Sequence, residues 1–66
     1  MKFPKFASIV GHLVSKVADR PLEDVDPDFN LSPYFDDGAE IGDQILAAQS
    51  CANRILFENG FADEEE

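Results

Sequence analysis

Phe6, Ile9, Val10, Leu13, Val14 and Val17 recur at steps of three, one, three, one and three. That spacing lines one face of an α-helix. Lys5, Ser8, His12, Ser15, Lys16 and Asp19 fall on the other face. Pro4 suits a first helical turn, where its missing N–H would be unpaired in any case. Pro21 disfavours helical geometry at Arg20. The pattern predicts a helix over residues 4–19.

A second stripe runs through Ile41, Ile45, Ala48, Ala52, Ile55 and Leu56. Asp37 followed three residues later by Glu40 reads as a capping box at its start. Asn59-Gly60 reads as its end, with Phe61 folding back on Leu56. This predicts a helix over about 38–59, roughly 33 Å long at about 1.5 Å per residue. Leu46 and Phe57 lie off the stripe, and Ala47 and Cys51 widen it on its other side. A helix apolar on two sides asks for two neighbours. The first helix supplies one. The second is either the intervening segment or another copy of the chain, and Ala47, Ala48 and Ala52 would let a helix come close. An antiparallel dimer of helical hairpins, making a four-helix bundle, is one arrangement that follows.

Between the helices, Arg20 to Asp43 alternates carboxylates with large apolar residues and is interrupted by Pro21, Pro27 and Pro33. Short helical turns are expected near 21–25 and 32–35, with Asp26-Pro27-Asp28 as a turn. Leu22, Val25, Phe29, Leu31, Tyr34 and Phe35 are too many apolar groups for a solvated linker. They are expected to fold back as a lid, because long unstructured loops are rare in small domains. The fold class expected is all-α: a two-helix hairpin, about 4–19 and 38–59, with an irregular, Pro-rich, acidic lid. One domain is expected over 1–61, followed by an acidic flexible tail at 62–66.

Charge adds a direction to this picture. The 66 residues carry a net charge of −9. Residues 1–20 hold Lys2, Lys5, Lys16 and Arg20 against Asp19, while residues 21–66 hold thirteen carboxylates against Arg54 alone. Such a surface repels nucleic acid and anionic membranes and attracts basic protein surfaces. The weakly polar run from Phe6 to Val14 is far shorter than the ~18 residues that span a bilayer. No small-x-small cleavage site follows it, so it reads as part of the fold. A single cysteine, Cys51, forms no internal disulfide and fits a reducing, cytoplasmic compartment. A chain this short buries only about 60% of its unfolded surface, so a partner or second copy would help it.

Candidate chemistry is sparse. His12, the only histidine, sits on the polar face between Ser8 and Ser15 and reads as a surface residue. Cys51, at the edge of the second stripe, reads as a buried structural thiol. Three or four His or Cys ligands for zinc are lacking. Asp24, Asp26, Asp28, Asn30 and Ser32 alternate as in a calcium loop. With Asp26 in first place, however, Leu31 stands where the loop needs glycine, and Asp37 stands where it needs a bidentate Glu. Gly11, Gly38, Gly42 and Gly60 are scattered singly, without the spacing of a phosphate loop. The reading is a non-enzyme with no metal and no cofactor.

The expected binding set is Glu23, Asp24, Asp26, Asp28, Asp36, Asp37, Glu40 and Asp43, with Phe29 and Tyr34 as apolar anchors. Carboxylates on a scaffold can occupy Lys and Arg sites spaced for phosphates, and aromatic anchors dominate interface energies. In size and charge the chain resembles the small acidic anti-restriction and anti-CRISPR proteins of bacteriophages, although it carries no motif of any one such family. The resemblance implies an inhibitor that blocks a basic nucleic-acid-binding site on a partner protein, in the cytoplasm of a phage-infected bacterium. It would touch neither nucleic acid nor membrane directly. The alternative is a small viral structural, scaffolding or assembly adaptor subunit that works by helix–helix packing. Contact with a membrane or with nucleic acid through the basic first helix is a third option, opposed by the strongly negative remainder.

Overall fold

The computed structural model describes residues 1–62. Three α-helices and one 3₁₀ turn account for its regular structure: α1, Phe3–Ala18; α2, the single turn Leu22–Val25; the 3₁₀ turn Ser32–Tyr34; and α3, Ile41–Glu58. The all-helical class is as expected, and the two long helices pack on each other.

Pro4 stands in the first turn of α1, as expected. The helix ends where Asp19 takes a left-handed conformation, φ 60° and ψ 33°, and its N–H reaches the Ser15 carbonyl at 2.9 Å. The C-terminus of α3 is a Schellman motif. Gly60 has φ 83°; its N–H points to the Phe57 carbonyl at 3.3 Å, and the Phe61 N–H reaches Leu56 at 2.8 Å. Glycine meets no β-carbon penalty in that conformation.

The start of α3 differs from the sequence reading. The helix begins at Ile41, with Glu40 as N-cap and no side-chain cap bond. The expected Asp37–Glu40 capping box does not form. Asp36 opens a turn instead: its carboxylate accepts the Gly38 N–H at 3.0 Å and its carbonyl accepts the Ala39 N–H at 3.1 Å. A local aspartate-capped turn competes with helix for the same backbone groups, and here it delays the helix by three residues.

The direction of the helices also differs. The Met1 nitrogen donates to Gln44 Oε1 at 2.9 Å, joining the start of α1 to the first turns of α3. At the other end, the Arg20 guanidinium lies 5.9 Å from the Phe61 ring centroid. The long helices therefore run parallel, and the expected hairpin is corrected. Residues 19–40 are enough chain to travel back along the whole bundle before α3 starts. Asp26 meets Asn59 near the end of α3, and Asp36 meets Gln44 near its start.

Phe6, Val10, Val14 and Ala18 of α1 are buried against Ala48, Cys51, Ala52, Ile55 and Leu56 of α3. Fully burying one Val, Ile, Leu or Phe side chain contributes about 1.5–3 kcal/mol. Small residues at 48, 51 and 52 let the helices approach closely. The stripe on α3 is rotated from the one expected. Gln44 and Cys51 are inside, whereas Ile41 and Ile45 are 62% and 40% exposed. Val17, read as core, is also exposed.

The return segment supplies the third wall. Leu22, Val25, Phe29, Leu31, Tyr34 and Phe35 are half-buried and packed against the core. Phe35 sets its ring 5.2 Å from Phe6 and 5.4 Å from Phe3, the latter edge-on. Ala62, expected to open the tail, packs against the core as well; residues 63–66 of that tail lie outside the described residues.

Candidate acidic interface

The return segment is built so that its apolar and acidic side chains part. Pro21 starts α2 and places Glu23 and Asp24 in its first turn, where carboxylates meet the positive end of the peptide dipoles. Asp26 closes α2, and the Phe29 N–H reaches the Asp26 carbonyl at 3.3 Å across Pro27 and Asp28. Asn30 Oδ1 accepts the Ser32 N–H at 3.1 Å, leading into the proline-containing 3₁₀ turn. Each short device fixes a few residues, and the apolar side chains anchor the whole.

The expected binding residues separate into three kinds. Glu23, Asp24, Asp28, Asp37, Glu40 and Asp43 are exposed, and among the described residues none of them makes an ion pair or a side-chain hydrogen bond. Asp26 and Asp36 serve the fold: Asp26 Oδ2 accepts from Asn59 Nδ2 at 3.1 Å, and Asp36 holds its own turn. Phe29 and Tyr34 are half-buried and stack on each other, with centroids 5.9 Å apart. Much of their apolar surface is thus used inside the molecule.

Asp26 is held at the end of α3 through Asn59, and Asp36 near its start through Gln44, with Asp37, Glu40 and Asp43 following Asp36 in the chain. Glu23 lines the cleft beside Gly11, in the middle of α1. Asn59 and Gln44 mark these ends, about 22 Å apart along the helix at about 1.5 Å per residue.

Gln44 is the residue that sequence reasoning missed. It is 2% exposed, donates from Nε2 to the Asp36 carbonyl at 2.8 Å and accepts from the Met1 nitrogen. It ties α1, the return segment and α3 together at one end. The available signal was a polar residue at the core spacing of four before Ala48.

Cys51 is buried, as expected, and burial pushes its thiol up to about 11. His12 is exposed and lines an open cleft of about 540 Å³ between α1 and α2, together with Ser8, Gly11, Ser15 and Glu23. Among the described residues no three His, Cys, Asp or Glu side chains gather into a group that could hold a metal ion. No helix among them is long and apolar enough to cross a membrane. No protein-family model, curated protein or solved structure matches the chain.

Proposed function

We propose that this is a non-enzymatic binding protein that sets its acidic side against a basic, nucleic-acid-binding surface of a partner protein and blocks it. One observation carries the reading. Eight carboxylates lie between Glu23 and Asp43, seven of them exposed, and among the described residues none is ion-paired. Like charges concentrated in one segment repel one another and oppose folding. A partner bearing Lys and Arg relieves that repulsion, and the anchored backbone limits the ordering cost of binding. The return segment, tied to the two ends of α3 through Asp26 and Asp36, suits a partner with basic sites spread along a groove. Small acidic phage inhibitors of restriction and CRISPR enzymes are the class whose mode of action this resembles.

The test is competition. A partner recovered from the host cell is expected to release the protein as salt rises, and DNA or RNA is expected to displace it. A partner that holds the protein equally well in the presence of excess nucleic acid overturns the mimic reading. Charge reversal belongs at Glu23, Asp24, Asp28 and Asp37, which carry no internal bonds, and should abolish binding with the circular dichroism spectrum unchanged. The same reversal at Asp26 or Asp36 would disturb the fold and decide nothing.

The assembly-subunit reading draws support from Leu46 and Phe57, which α3 leaves 62% and 40% exposed.

A further inference from the structure

The return segment covers one side of the α1–α3 pair and leaves the other side open. On α1 it lies against the flank that holds Gly11, where a β-carbon would stand 3.9 Å from Leu22 Cβ. On α3 it lies against the flank of Gln44, through Asp36. Two right-handed helices running the same way then place Ile9, Leu13 and Val17 of α1 and Ile45 of α3 on the opposite side. Leu46 and Phe57 continue that surface around the outside of α3. Val17, Ile45, Leu46 and Phe57 are 57%, 40%, 62% and 40% exposed.

Between Asp43 and Glu58, α3 brings no negative charge to this side. From Gln44 to Phe57 the chain has no carboxylate, although fourteen carboxylates are distributed elsewhere in its 66 residues. Ile9, Leu13 and Val17 have Lys5 and Lys16 beside them and no acid among them.

We infer that this open face is where two copies of the chain meet. A second copy is the occupant that the charges fit. Two molecules of charge −9 repel through almost any contact, and the stretch of α3 on this face, from Gln44 to Phe57, brings no acids together. With the two-fold axis along the helices, α1 of each copy lies over α3 of the other, and the lysine-flanked edge meets an uncharged one. With the axis across the helices, Lys5 and Lys16 of each copy would approach those of the other, which disfavours that arrangement. The molecule measures 32 × 21 Å across its two longest directions. A rectangle of those sides, about 670 Å², outlines the whole molecule, so a face-to-face contact lies at the low end of the roughly 600–1,000 Å² per partner of a standard interface. The dimer would turn the acidic return segment of each copy outward, on opposite sides.

The inference stands apart from the proposed partner, since it is tested on the pure protein. Sedimentation equilibrium at tens of micromolar should give twice the 7.3 kDa chain mass. Val17→Glu and Ile45→Glu each place a carboxylate on an exposed position of this face, and each should weaken the dimer at least tenfold while the helical spectrum is kept. Raising salt from about 50 to about 500 mM should strengthen the dimer by screening the repulsion between copies, opposite to its expected effect on binding through the acidic side. A chain that stays at 7.3 kDa throughout, a dimer indifferent to both substitutions, or a dimer that salt dissociates would each overturn the inference.

Discussion

At the scale of the single residue, Cys51 couples the core to pH. Its thiol, ordinarily near 9.0, is pushed up to about 11 by burial. The neutral form is thus the one the folded state favours. Its contribution is fully present below pH 9 and declines as pH rises toward 11, because the unfolded chain ionises first. Two pKa units correspond to about 2.7 kcal/mol at most. Urea midpoints at pH 8 and pH 10.5 should show a steeper alkaline loss for the natural protein than for Cys51→Ala, and equal losses would remove burial as the cause. Gly11 gives a prediction of the other sign. A β-carbon there reaches Leu22 at ordinary contact distance, so Gly11→Ala should stabilise α1 by about 0.5–1 kcal/mol, read from the shift in urea midpoint. The burial of Cys51 was legible in the sequence from its place beside the apolar stripe. The burial of Gln44 was not, because its value comes from hydrogen bonds to groups distant in the chain.

At the scale of the element, both long helices could be read from periodicity, and the glycine cap of α3 from two residues. The start of α3 could not, since Asp36 and Asp37 offer equivalent caps and only the local turn chooses between them. The rotation of the buried stripe from Ile41 and Ile45 toward Gln44 and Cys51 has the same origin. Ile41 stands at the very start of the helix and Ile45 on its open flank, so hydrophobicity alone misplaced them. Gln44 is the fastening of this end. Gln44→Leu keeps the volume, removes one of the two donors to the Asp36 carbonyl and the acceptor of the Met1 nitrogen, and should destabilise by about 1–3 kcal/mol, measured by thermal unfolding. A Gln44→Leu variant as stable as the natural chain would mean that those bonds are readily replaced by water. The acidic groups were legible as composition. The tie of Asp26 to one end of α3 and of Asp36 to the other was not, because it depends on where the return segment anchors.

For the whole molecule, the parallel course of α1 and α3 is the feature furthest from the sequence reading. Periodicity reports which face is buried and says nothing about direction, and a long connection permits either. Spin labels on exposed positions distinguish the two. In the parallel fold Lys16 lies closer to Glu58 than to Asp43, whereas a hairpin reverses that order. The direction also has a consequence in time. Helices of a hairpin can zip together from their shared turn, each contact bringing the next within reach. Parallel helices cannot, because no α1–α3 contact forms until the connection through residues 19–40 has closed as a whole. Closure grows costlier only slowly with length, by about 0.6 kcal/mol per doubling, yet all of it precedes the first gain. Folding should therefore be slower than the microseconds open to helical bundles of local topology. It should wait on the docking of Phe35 between Phe3 and Phe6, so that Phe35→Ala retards refolding in stopped-flow mixing more than it hastens unfolding.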